Sequence, residues 1–195
     1  MNRRPHVVVL AGPNGAGKST TAPVLLRSKL GVDEFVNADT IARGLSAFAP
    51  EGVAIDAGRV MLRRLEQLAA QRRDFAFETT MASRTFAPRI ARWMETGYAF
   101  HLVFLWLPNA EFALARVRER VRLGWHDVPE VTVRRRYARG VINFFALYQP
   151  VATTWRLYDN SQARPRLVAR GDRTGRSVVS DAGLWARIAE VQHGE

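Results

Sequence analysis

Short apolar segments alternate with longer amphipathic segments along most of the 195-residue chain. Apolar runs bounded by turn or polar residues predict strands at residues 7–11, 34–37, 75–79, 99–107 and 155–159. Apolar residues at helical spacing predict helices at residues 18–30, 52–73, 86–95, 110–123 and 129–147. This alternation indicates an α/β fold with a mainly parallel five-stranded sheet and helices on both faces.

The pattern weakens after residue 160. Residues 165–170 and 176–179 fit short strands or a small C-terminal hairpin at a sheet edge, and residues 181–192 fit a closing helix with Asp181 as its N-cap. The length and the 47% hydrophobic content suit one domain over residues 1–195. No apolar stretch reaches the roughly 18 residues that a membrane span requires. With no cysteine in the chain, we expect a cytoplasmic protein with no membrane partner.

Two predicted helices carry many arginines. In residues 110–123 an apolar stripe has Arg116 and Arg120 on one flank and Arg118 and Arg122 on the other. The helix at residues 129–147 begins at Pro129, and its first half contains Arg134, Arg135 and Arg136. Residues 124–128 form a short break between the two helices. This arrangement predicts a movable lid over about residues 110–148.

One motif carries specific chemistry. Residues 12–19 fit the pattern G-x-x-x-x-G-K-[ST], directly after a strand and at the start of a helix. In this motif, backbone N–H groups surround a phosphate, the lysine reaches the terminal phosphates, and the hydroxyl ligates Mg²⁺. The pattern predicts that ATP and Mg²⁺ bind here, with Ser19 as the metal ligand. The nucleotide-binding residues are Gly12, Pro13, Asn14, Gly15, Ala16, Gly17, Lys18, Ser19 and Thr20.

Two carboxylates follow the next two strands. Asp39 and Glu78 stand where parallel strands end, so we expect both on the same crevice as the phosphate loop. One could accept the proton of an attacking hydroxyl, and the other could orient the substrate or a metal-bound water. The alternative for Asp39 is a purely structural role as the N-cap of a helix that begins at Thr40.

The charge balance allows two interpretations. The chain has 29 basic and 18 acidic residues, a net charge of +11. A basic nucleic-acid-associated ATPase is one interpretation. However, Lys18 and Lys29 are the two lysines, so arginine fills nearly every basic position and the excess equally suits a phosphorylated substrate. We therefore disfavour a nucleic-acid partner. Cations that close over a transferring phosphate speed the reaction, and our candidates are Arg120, Arg135 and Arg136, although any one of them could simply be solvated.

Several segments stand in a fixed order along the chain: residues 12–20, 37–39, 77–80 with Arg84, 116–122, 124–129, 134–137 and 158–161. Taken together in this order, they resemble the zeta-toxin-like P-loop kinases, in particular their stand-alone bacterial branch. Transporter ATPases spell the phosphate loop similarly, but their Leu-Ser-Gly-Gly-Gln segment does not occur here.

The resemblance implies ATP-dependent phosphorylation of a hydroxyl on a nucleotide sugar, with UDP-N-acetylglucosamine as the best-known acceptor. It implies that Asp39 is the general base and that the catalytic cations are Lys18 and Arg120 with Arg135 or Arg136. Asp39, Glu78, Thr80 and Arg84 would bind the acceptor, and Asp159, Asn160 and Ser161 would lie near the adenine. This chain is more compact in the acceptor region than the plasmid-borne toxins. A toxin neutralised by an antitoxin protein remains a further alternative.

Overall fold

One seven-stranded sheet organises the protein. The computed structural model describes residues 3–47, 49–124 and 127–191. The strand order is β2-β3-β1-β4-β5-β6-β7. The strands are β1 (His6–Ala11), β2 (Phe35–Val36), β3 (Phe75–Thr79), β4 (Ala99–Trp106), β5 (Thr154–Asp159), β6 (Arg166–Asp172) and β7 (Ser177–Val179).

The first five strands are parallel, and β6 and β7 are antiparallel additions at one edge. The predicted hairpin after residue 160 is therefore part of the sheet, which extends it from five strands to seven. Strand β1 lies between β3 and β4 and is buried on both faces, which explains the uninterrupted apolar sequence after His6. The parallel α/β fold predicted from the sequence is confirmed.

Helices cover both faces of the sheet. They are α1 (Lys18–Ala22), α2 (Ala38–Leu45), α3 (Ala54–Ala70), α4 (Ala87–Glu95), α5 (Ala110–Arg122), α6 (Glu130–Asn143) and α7 (Ala182–Glu190). Residues of α3, α4, α6 and α7 pack on one face, where Val7 and Val9 point. Residues of α1 and α5, together with Val133 of α6, pack on the other face with Val8 and Leu10. This alternation follows from the two-residue period of a strand. Within the described ranges, no helix has the length and apolar character of a membrane span.

Three helical regions differ from the prediction. The helix expected at residues 18–30 changes to π-helical geometry over Pro23–Lys29, because Pro23 has no N–H for an α-helical hydrogen bond. The helix expected at residues 129–147 likewise becomes π-helical at Phe144–Tyr148. Helix α2 was not among the predicted helices, although the alternative interpretation of Asp39 included a helix that begins at Thr40. Trp125 and His126 of the predicted break, and Gln192 of the closing helix, lie outside the described residues.

Candidate active site

The carboxyl ends of β1, β2 and β3 border a cavity of about 780 Å³. Because these strands are parallel, the segments that follow them all emerge at the same edge of the sheet. The cavity wall includes the phosphate loop, the start of α2, the segment after β3, and parts of α3, α5 and α6. The sequence predicted this convergence for Asp39, Glu78 and the loop.

The phosphate loop has a conformation that depends on glycine. Gly12 has a φ of 141°, and a Cβ there would lie 2.3 Å from the Leu105 carbonyl oxygen. Gly15 has a φ of 76°, and its Cβ would lie 2.8 Å from the Ala113 carbonyl oxygen on α5. Only glycine meets both demands, since side chains disfavour this backbone region and the neighbouring backbone leaves no space. The loop then enters α1 at Gly17, whose cap position has no side-chain hydrogen bond. First-turn N–H groups that lack a side-chain cap can bind an anion.

Lys18 lies at the centre of this loop. Its ammonium donates to the carbonyl oxygens of Gly12 and Pro13, each at 2.9 Å. Burial lowers the pKa of Lys18, while Glu78 and then Asp39 act in the opposite direction. Arg120 and Arg136 contribute further to lowering this pKa. The predicted catalytic charges therefore interact electrostatically around one lysine.

Ser19 and Glu78 form a pair of oxygen donors. The Ser19 hydroxyl donates to the Glu78 carboxylate at 3.0 Å. Hydroxyl and carboxylate oxygens, together with phosphate oxygens, are the ligands that Mg²⁺ prefers. Nearby, the Asn14 side chain is buried, and among the described residues its Oδ1 has no hydrogen-bond partner. These groups fit a phosphorylated ligand that carries a metal ion.

Asp39 is held at the start of α2. The cap is Asn37, whose Oδ1 accepts from the backbone N–H groups of Asp39 at 2.7 Å and Thr40 at 3.2 Å. The alternative interpretation of Asp39 as the N-cap of a helix at Thr40 is therefore wrong. Helix α2 begins at Ala38, and the Asp39 side chain lines the cavity in its first turn. This leaves the carboxylate for a role in the cavity.

The predicted arginines separate into two groups. Arg120 and Arg136 line the cavity. Burial lowers the pKa of Arg136, Asp39 opposes this shift, and Arg135 adds to it. Arg135 itself is exposed and is not part of the cavity wall, and the same holds for Arg84. Thr80 does line the cavity, so the structure brings three of the four predicted acceptor-binding residues together.

The predicted adenine segment packs behind the phosphate loop. Asp159 and Asn160 are buried at the end of β5, and the Asn160 Nδ2 donates to the Ala16 carbonyl at 2.7 Å. The Ser161 N–H donates to Asp159 Oδ1 at 2.9 Å. This segment contacts the loop without lining the cavity itself.

Sequence reasoning did not select Arg116 as a site residue. Arg116 lines the cavity, and its guanidinium donates to the carbonyls of Asn160 at 2.7 Å and Ser161 at 3.1 Å. Its place on the same helical flank as Arg120 was the signal that could have identified it. The cavity wall also contains residues that were not selected: Ile55, Arg59, Met61, Leu62, Ser83, Thr85 and Phe86.

Comparisons with known proteins agree with this geometry. A sequence model of the zeta toxin family matches residues 1–153. An uncharacterized protein of Haemophilus influenzae is 31% identical over 132 residues, which cover 67% of this chain and 91% of that protein.

Solved structures share the fold at lower identity. The AvrRxo1-ORF1:-ORF2 structure with ATP is similar at a TM-score of 0.79 and 20% identity, over 98% of this chain and 65% of that chain. A structure from the PezAT toxin-antitoxin system of Streptococcus pneumoniae gives 0.65 and 14%, over 100% and 80%. A gluconokinase from Sinorhizobium meliloti gives 0.53 and 18%, over 83% and 86%.

The strand order, the phosphate loop and the strand-end carboxylates define a P-loop kinase-like α/β protein. Within that class, the chain belongs to the zeta toxin family.

Proposed function

We propose that the protein is a kinase that transfers the γ-phosphate of ATP to a hydroxyl of a nucleotide sugar such as UDP-N-acetylglucosamine. The observation that supports this most is the gathering of Lys18, Asp39, Glu78, Arg120 and Arg136 around one cavity. The nucleotide-sugar acceptor comes from the family resemblance. A kinase that consumes ATP is expected in the cytoplasm.

In the proposed reaction, Asp39 accepts the proton of the acceptor hydroxyl while that oxygen bonds to the γ-phosphorus. The bond between the γ-phosphorus and the bridging oxygen breaks, and ADP leaves. Lys18, Arg120 and Arg136 offset the charge that spreads over the phosphoryl oxygens. Ser19, with Glu78 beside it, would hold Mg²⁺, which neutralises phosphate charge when it is bound.

The test is acceptor-dependent ADP formation. Nucleotide sugars, nucleosides and small alcohols are offered with ATP and Mg²⁺, and the product is identified by its mass. We expect a product heavier than the acceptor by one phosphoryl group. A protein that binds ATP and phosphorylates none of these acceptors would falsify the proposal.

The role of Asp39 is tested with Asp39→Asn. This variant keeps the size of the side chain but cannot accept the proton, so turnover should fall about 100-fold or more. ATP affinity should persist, because residues 12–20 carry the phosphate contacts. Asp33→Asn is the matched control, since Asp33 is an exposed carboxylate outside the cavity wall. Undiminished turnover in Asp39→Asn would assign the base elsewhere.

A toxin role with a protein partner extends this proposal. The support is the family itself and the toxin-antitoxin system to which one structural neighbour belongs. Expression should then arrest growth, and a neighbouring gene product should relieve the arrest. Growth that arrests equally with Lys18→Ala would separate any toxicity from phosphate transfer.

A further inference from the structure

The segment after β3 has an unusual backbone. We name residues 80–83 the acceptor loop, because Thr80 and Ser83 line the cavity. Within it, Met81 has a φ of 57° and a fully buried side chain. Residues with a Cβ disfavour this left-handed region, so contacts from outside the loop must stabilise it.

Helix α6 and its π-helical continuation supply those contacts. Asn143, which is 5% exposed, donates from Nδ2 to the Met81 carbonyl oxygen at 2.7 Å. The Tyr148 hydroxyl donates to the Ser83 carbonyl oxygen at 3.1 Å. At Gly140 the helix lies so close that an added Cβ would be 2.6 Å from the Thr80 carbonyl oxygen.

The same helix carries a cation that lines the cavity. Arg136 lies one turn before Gly140, lines the cavity and interacts electrostatically with Asp39. One helix therefore places both Arg136 and the acceptor loop relative to the candidate base. Its far end is fixed in the core through Val141, Phe144 and Tyr148, which are fully or almost fully buried.

We propose that Asn143 is a positioning residue for phosphate transfer, which ties the acceptor loop to the helix that carries Arg136. This inference rests on the proposed kinase function. Through this bond, the acceptor hydroxyl and the Arg136 guanidinium keep a fixed spacing across the cavity. Positioning of this kind affects the acceptor and the rate of transfer, because a misplacement of about 1 Å can lower the rate about 100-fold.

A purely structural role makes a different prediction. A buried amide that satisfies a buried carbonyl stabilises the fold wherever it lies. If that were its whole function, losing it would lower the melting temperature and leave the kinetics of the folded enzyme unchanged. ATP affinity should be insensitive in either case, because the phosphate loop at residues 12–20 belongs to another wall of the cavity.

The test compares variants with a matched control. Asn143→Ala removes the donor. Gly140→Ala displaces the acceptor loop in another way, because the added Cβ would lie 2.6 Å from the Thr80 carbonyl oxygen. The control is Tyr98→Phe, which removes a hydrogen bond from a buried side chain to the Arg73 carbonyl oxygen at 2.8 Å, at the end of the sheet remote from the cavity. Steady-state kinetics are measured with ATP and UDP-N-acetylglucosamine or the best acceptor of the screen, alongside ATP affinity and melting temperature.

We expect kcat/KM for the acceptor to fall about 10- to 100-fold in both loop variants, with ATP affinity within about threefold of the original protein. The melting temperature of Tyr98→Phe should be lower than that of the original protein, while its kinetics should be normal. If folded Asn143→Ala and Gly140→Ala protein also shows normal acceptor kinetics, the positioning role is wrong while the kinase function stands. If the original protein phosphorylates no acceptor, the kinase proposal fails and the positioning role fails with it.

Discussion

Glu78 illustrates how one side chain supports two assignments at the residue scale. The family resemblance gives it a role in binding the acceptor, and it lies in the cavity wall near Thr80. Its hydrogen bond with Ser19 instead favours a role beside Mg²⁺. The two roles predict different kinetic defects, so they can be separated.

The change Glu78→Gln keeps the size of the side chain and removes the charge. If Glu78 supports the metal ion, the Mg²⁺ concentration for half-maximal activity should rise about 10-fold or more. The measurement is an activity titration with Mg²⁺ at saturating ATP and acceptor. A higher KM for the acceptor with an unchanged Mg²⁺ requirement would assign Glu78 to the acceptor instead.

Lys18 gives a second prediction at this scale. Its ammonium bridges two loop carbonyls inside the phosphate site. In the proposed reaction Lys18 offsets charge on the phosphoryl oxygens, so Lys18→Ala should lower phosphate transfer at least about 100-fold. ADP formation measures this loss, and a melting curve establishes that the variant is folded. Residual activity near that of the original protein would show that Arg120 and Arg136 suffice to offset the phosphate charge.

At the element scale, helix α5 links the nucleotide loop to the rest of the site. Arg116 binds the carbonyls of residues 160 and 161, and Asn160 in turn binds Ala16 in the phosphate loop. The Arg116 guanidinium carbon also lies 4.9 Å from the Phe112 ring centroid. Arg118, on the opposite flank, forms an exposed ion pair with Glu130 at 3.1 Å. Arg116 is partly buried and binds residues 160 and 161, whereas Arg118 is exposed and pairs with Glu130.

This contrast provides a matched pair of variants. Arg116→Ala removes two charge-assisted hydrogen bonds and should weaken ATP binding about 10-fold, because the segment behind the loop loses its anchor. Arg118→Ala should change ATP affinity little, since exposed ion pairs contribute at most about 1 kcal/mol. Calorimetric titration with ATP compares them, and equal losses in both variants would contradict the anchoring role of Arg116.

The elements themselves differ in how well the sequence predicts them. Strands β1, β3 and β4 are mostly apolar because both faces of the sheet are covered there, so their signal is clear. Helix α2 has eight residues and a single buried residue, Ala42, so it is shorter than the window over which helical periodicity is judged. The π-helical segment that begins at Pro23 depends on one missing N–H group. A proline within a helix predicts that the helix is irregular there but does not predict π-helical geometry.

For the whole molecule, topology explains which parts of the candidate site were predictable. Parallel strands end at one edge, so Asp39 and Glu78 could be placed beside the phosphate loop from their positions after strands. The contact between Asn143 and Met81 joins residues 62 positions apart. No local pattern encodes such a pair, because it depends on how α6 packs on the sheet.

His101 affects the stability of the whole molecule and lies at the end of the sheet remote from the cavity. His101 Nε2 lies 2.8 Å from His6 Nδ1, and His101 Nδ1 lies 2.8 Å from Thr154 Oγ1. Burial lowers the pKa of His101 to about 4, with smaller effects from His6, Arg156 and Arg4 in the same direction. In an unfolded chain the pKa of histidine is about 6.5.

Between those two pKa values the unfolded chain binds a proton at this position that the folded protein does not bind. The contribution of neutral His101 to the free energy of unfolding is therefore fully present above about pH 6.5. It decreases as the pH falls towards about 4 and levels off below that value. Allowing for partial exposure, the loss should reach about 2 kcal/mol. Urea unfolding of the original protein and His101→Gln from about pH 7 to about pH 4 measures it, because glutamine keeps polar contacts without titrating. Both proteins contain the same carboxylates, so the difference between the two stability curves reports on His101 and its contact with His6. Parallel curves would contradict the role of His101.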